Sequence, residues 1–154
     1  MTETAAERSR QQLAKQVAEA LVRRDTSSRL LGIVLDEVGP GHAAMSMTVT
    51  ADMLNGVEIG HGGITYTLAD TAFALACNSY NRPAVALSCT ITYPMAARLG
   101  DRLTARCHEV HRKGRNGTYD CTVTNQSGEV VALFRGQCRI LEGHIVGPIV
   151  EGNP

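Results

Sequence analysis

The chain has 154 residues, with fifteen acidic side chains balanced by fifteen basic ones. That length fits one domain and hardly two, and zero net charge excludes the broad positive field that a general nucleic-acid binder needs. A local basic patch for a phosphorylated small molecule stays open, since every basic residue other than Lys15 and Lys113 is an arginine. The core materials are unusual, with two Phe, no Trp and fifteen Gly. They predict a compact domain with close backbone approaches, its burial open to completion by subunit association. No segment approaches the roughly 20 apolar residues of a membrane span. Residues 1–12 are polar, without the apolar stretch of a secretory signal. The expected setting is therefore cytoplasmic, with no membrane and no nucleic acid as partner. Five cysteines, Cys77, Cys89, Cys107, Cys121 and Cys138, are far apart and form no CxxC, so free thiols are expected and no zinc site.

Residues 4–24 carry a helical rhythm, with Leu13, Val17, Ala20 and Leu21 at 3–4 spacing. Asp25-Thr26-Ser27-Ser28 breaks it and is placed to cap a short second turn through Leu31. Residues 33–38 look like a strand, Gly39-Pro40-Gly41 like a turn, and residues 42–50 like a half-buried strand in which Ala43, Met45, Met47 and Val49 alternate with polar or small residues. After a short turn over 51–54, a helix is expected from Gly62 to Ser79. Leu68, Ala72 and Ala76 lie along one line of it and Ala69, Phe73 and Cys77 along the next, a wide apolar surface that needs neighbours on most sides. Strands are expected over 84–93, 103–111, 119–124 and 130–141, the last three as an antiparallel meander with a polar turn over 112–117. The methionines Met45, Met47 and Met53 read as core. The sum is one α+β domain over 31–141, a helical extension over 1–30, and a loosely held tail over 142–154.

Two features of the central helix carry chemistry. At its start, Gly62, Gly63 and Ile64 present N–H groups without intrahelical partners, and two of them have no side chain to keep a ligand away. A carbonyl oxygen or an anion suits that positive end, and a scissile carbonyl would make it an oxyanion hole. Alternatively, the glycines only permit tight entry of the helix beneath a strand. The second feature is Asp70, a carboxylate with no Arg or Lys within four residues on either side. Solvent exposure or a bond to a neighbouring strand would explain it without function. Eight residues separate Gly62 from Asp70, a rise of about 12 Å, whereas reacting atoms must approach to about 3–3.5 Å. If the two act together, one chain supplies the hole and a second chain the acid, and a twofold dimer with antiparallel central helices does so twice.

The run Asn55-Gly56, His61-Gly62-Gly63 and Leu68-Ala69-Asp70-Thr71-Ala72-Phe73-Ala74, with Ala132-Leu133-Phe134-Arg135-Gly136 in the last strand, closely resembles the hotdog-fold acyl-CoA thioesterases, nearest to those of bacterial phenylacetate degradation. The resemblance spans roughly residues 31–140. It implies a curled antiparallel sheet of about six strands around the central helix, and homodimers with two interface sites assembled into homotetramers. It implies hydrolysis of an acyl-CoA thioester, with an aromatic acyl group such as phenylacetyl or hydroxyphenylacetyl, and no separate cofactor because CoA is part of the substrate. Asp70 then matches the essential carboxylate, as general base or nucleophile. Gly62 matches the glycine whose N–H holds the thioester carbonyl, and Asn55 an asparagine that positions water or thioester. Ser88 matches a hydroxyl that orients the water, with Thr71 a second polar neighbour of the acid. His61 fits helix entry or an interface better than the role of base. The turn Arg112-Lys113-Gly114-Arg115, with Arg98 at lower weight, is the candidate for the CoA phosphates. His108 and His111 have no third ligand, so no metal is assigned. Two other classes stay open: a module that binds acyl-CoA without turning it over, and a hotdog enzyme of dehydratase or hydratase type.

Overall fold

The computed structural model describes residues 4–147. Helix α1 spans Ala5–Arg24 and opens on a capping box, in which Thr4 accepts from the Glu7 N–H while the Glu7 side chain accepts from that of Thr4. Asp25 ends α1 and caps α2, Thr26–Leu30. Six strands follow: β1 Val34–Gly39, β2 His42–Thr48, β3 Ala84–Thr92, β4 Arg102–Lys113, β5 Asn116–Thr124 and β6 Val130–Ile140. Between β2 and β3 lie a 3-10 turn, Ala51–Met53, and the central helix α3, Gly62–Asn78.

The strands form one antiparallel sheet in the order β1-β2-β4-β5-β6-β3, open at β1 and β3. This is the hotdog arrangement: α3 packs against all six strands, and α1 lies over β1 and α3. Burial alternates along β4, β5 and β6, whereas Ala43–Met47 of β2 are buried on both faces. Met45 and Met47 of β2, Leu103 and Ala105 of β4, Tyr119 and Val123 of β5, and Phe134 of β6 all turn toward α3 and are buried. Met53 is buried with them. The helix answers with Leu68, Ala69, Ala72, Phe73 and Ala76, whose small members let the backbones approach. Gly136 completes the fit, because a Cβ there would lie 2.8 Å from the Phe73 ring.

Three details differ from the sequence expectations. The polar turn over 112–117 is narrower, since Arg112 and Lys113 finish β4 and Asn116 begins β5. Only Gly114 and Arg115 are left as a two-residue hairpin loop, with Gly114 at φ +59°. A positive φ at the first loop position matches the twist of the flanking strands, and glycine adopts it without strain. The first strand starts at Val34, one residue later than expected. Residues 142–147 are also held more firmly than a loose tail. The Asn81 side chain accepts from the N–H groups of Ile145 and Val146 and donates to the Val146 carbonyl. The rest of the expected tail, 148–154, lies outside the described residues.

Candidate active site

Helix α3 has an unusual cap. The Nδ1 of His61 accepts from the Gly63 N–H at 3.0 Å, and the His61 carbonyl accepts from Ile64 at 2.9 Å. Of the three N–H groups expected to be free, Gly63 and Ile64 are therefore satisfied within the chain. Gly62 alone keeps an N–H with no acceptor among the described residues. His61 sits at helix entry, its ring committed to the cap.

A cleft of about 290 Å³ opens at this helix end, lined by Asn55, Ile59, Gly62, Tyr93, Met95 and Val131 among others. Asn55 shapes its rim, since Oδ1 accepts from the N–H groups of Val57 and Ile59, an Asx-type turn that also holds Glu58 at φ +61°. Asn55 and Gly62 thus face the same space.

Asp70 lies two helical turns away, half-buried. Among the described residues it has no hydrogen bond or ion pair, and burial alone holds its carboxyl above the usual carboxylate range. Its electrostatic neighbours are Tyr66, one turn earlier on α3, and Cys89 of β3. The contact with Cys89 leads the causes that push the Tyr66 phenol up to about 12, ahead of burial. Neither neighbour was singled out from the sequence. Tyr66 was open to the i, i+4 rule, while Cys89 meets α3 only through the strand register.

The remaining candidates separate. Ser88 pairs with Gln137 and Cys89 with buried Gly136, so Ser88 points to the outer face of the sheet and Cys89 toward Asp70 of the same chain. Thr71 donates its hydroxyl to the Thr67 carbonyl at 2.8 Å and faces α1, where it lines a cleft with Leu21 and Val22. The 112–115 hairpin stands at the C-terminal end of α3. Gly62 lies at the other end, near the starts of β4 and β6. Twelve residues of β4 separate these ends, more than about 30 Å. Arg112 stacks on the Tyr80 ring at 4.2 Å, with its Nε buried and without an acceptor. Arg115 pairs loosely with Glu142 at 3.4 Å, and Lys113 is exposed. Arg98 is exposed next to Ala97 of the cleft, its N–H donating to Asp101. Five free cysteines are present, four of them buried. Among the described residues no His, Cys, Asp and Glu cluster has a metal-binding arrangement, and no helix is long and apolar enough to cross a membrane.

The chain belongs to the Thioesterase superfamily, whose family model matches residues 59–132. Among characterised proteins it is similar to the acyl-coenzyme A thioesterase PaaI of Escherichia coli strain K12, at 44% identity over 87% of this chain and 96% of that protein. The solved structure of E. coli PaaI, from the phenylacetic acid degradation operon, superposes with a TM-score of 0.86 at 42% identity, covering 87% and 97% of the two chains. A mutant PaaI from Thermus thermophilus gives 0.74 at 41% identity over 76% and 100%. A hypothetical thioesterase protein from Streptococcus pneumoniae TIGR4, solved with coenzyme A, gives 0.70 at 27% identity over 73% and 90%.

Proposed function

We propose that the protein hydrolyses acyl-CoA thioesters with aromatic acyl groups, of the phenylacetyl or hydroxyphenylacetyl type, in cytoplasmic homodimers that pair into tetramers. The observation that carries this is the unpartnered, half-buried Asp70 on the same helix as the lone free N–H of Gly62. With about 12 Å of helix between them, one chain cannot bring both to one carbonyl. The edge strand β3 offers the place for a second copy. Val85 and Leu87 on it are 48% and 56% exposed, and its unpaired backbone groups are open to another strand. Pairing of two such edges about a twofold axis sets the central helices antiparallel and brings the acid of one chain toward the helix start of the other. It also carries the Lys113–Arg115 hairpin to the partner's cleft, where its charge suits the CoA phosphates.

In the reaction, Asp70 takes a proton from a water as the water oxygen bonds to the thioester carbon. The Gly62 N–H of the partner subunit stabilises the oxyanion, and Asn55 beside it orients the thioester. Collapse breaks the C–S bond, releasing the acid and the CoA thiol, which regains the proton. Water activation is favoured over an acyl-aspartyl anhydride, because burial raises the basicity of the carboxylate. The names of the relatives support the substrate class, since the E. coli protein is an acyl-coenzyme A thioesterase and the S. pneumoniae structure contains coenzyme A. Thiol release from aromatic, short and long acyl-CoAs tests the proposal. Release that is fastest with aromatic groups and lost in Asp70→Asn is expected. Binding without release from any of them would point to a non-catalytic module, and hydration of an enoyl-CoA to the dehydratase type.

A further inference from the structure

We infer that Tyr93 is the specificity-determining wall of the acyl subsite, an assignment that rests on the acyl-CoA reading above. The Tyr93 hydroxyl donates to the Gly62 carbonyl at 2.8 Å. Its ring stands so close that a Cβ on Gly62 would lie 3.1 Å from Cζ. The ring is therefore pinned against the residue whose N–H points at the carbonyl, and Tyr93 remains 44% exposed where it lines the cleft.

The other walls decide what occupies this space. Ile59, Met95, Ala96, Ala97 and Val131 are apolar and outnumber the polar lining residues Asn55 and Thr65. Pantetheine amides and phosphates buried among these apolar side chains would lose their hydrogen bonds to water, so the phosphates stay at the cleft mouth. The part of an acyl-CoA that fits beside Gly62 is the acyl group. The cleft volume of about 290 Å³ falls just under the range of about 300–1,000 Å³ that takes drug-sized ligands, which suits a single ring better than a long chain. A ring held there meets the Tyr93 ring in the offset or edge geometry that aromatic pairs prefer.

Calorimetric titration of the full chain with two unhydrolysable thioether ketones, phenacyl-CoA and acetonyl-CoA, tests this apart from turnover. The native protein is expected to bind phenacyl-CoA about three- to tenfold more tightly, the range that aromatic pairing supplies. Tyr93→Leu should bring that ratio close to one, and Tyr93→Phe, which keeps the ring, should preserve most of it. Acetonyl-CoA binding in each variant reports that the fold survives, and Tyr93→Met replaces the Leu variant if it does not. An unchanged ratio in the Leu variant, or no preference in the native protein, would overturn the assignment even if thioesters are hydrolysed. A clear contrast without any thioester turnover would instead remove the catalytic proposal and keep Tyr93 as the wall.

Discussion

Asp70 illustrates how one residue is tuned by its surroundings. A carboxylate without partners in a half-buried site holds its proton more tightly than in the unfolded chain, where the value is 3.8. Below that ordinary value both states bind the proton and the residue is neutral toward stability. As pH rises from there through the raised folded-state value, the folded chain holds more proton than the unfolded one, so stability falls, and above that window a constant penalty remains. Asp70→Asn should accordingly raise the melting temperature at neutral pH and leave it unchanged in strong acid, as differential scanning calorimetry would reveal. The same variant should lose about 10²–10⁴ in kcat, the usual contribution of a positioned base. In the native enzyme kcat/KM should climb with pH through a pKa above the ordinary carboxylate range. A profile flat down to pH 4 would mean that Asp70 is not the base. Asp70 was legible because a lone acid in an apolar helical run contradicts its context. That Cys89 would lie beside it was not, because the two come together only through the pairing of β3 with β6.

At the scale of elements, the start of α3 and the β4–β5 hairpin each perform one task. A Cβ on Gly62 would lie 3.1 Å from the Tyr93 ring, which would have to give by a few tenths of an ångström. Gly62→Ala should crowd this turn and lower kcat by up to about 10-fold, since a full 1 Å misplacement reaches about 10²-fold. In the hairpin, Arg112 and Arg115 look equivalent in sequence and are not. Arg112→Ala removes a stack on Tyr80 and should cost about 0.5–2 kcal/mol of stability in chemical denaturation. Arg115→Ala should leave stability unchanged and raise KM for an acyl-CoA but not for the corresponding pantetheine thioester. An equal rise for both thioesters would remove the hairpin from phosphate binding. The helices and strands themselves were legible from periodicity, and the break over 25–28 from its run of polar residues. The hairpin's narrowness was not, because its polar residues mask two strand ends that pair in register. Nor did the sequence signal that the His61 ring would take up the Gly63 N–H, which leaves a single donor where three were expected.

For the whole molecule, the open sheet and the distance along α3 set the terms. The fold was legible because the strand-like runs and the wide apolar helix agree on one core. The distance between Gly62 and Asp70 followed from counting residues along α3, and the described structure keeps Gly62 with Asn55 in one cleft and Asp70 outside it. The grouping of Tyr93 with Gly62 was not legible, since 31 residues separate them and no local pattern links a strand end to a helix start. The central claim, that two chains complete each site, is tested most directly by mixing two dead variants, Asp70→Asn and Gly62→Val, through joint unfolding and refolding. Random pairing makes about half of the dimers mixed, and each mixed dimer has one site with both an intact Asp70 and an intact Gly62, so about one quarter of native activity should return. A mixture no more active than its two parents, or a monomer with full activity, would contradict the account.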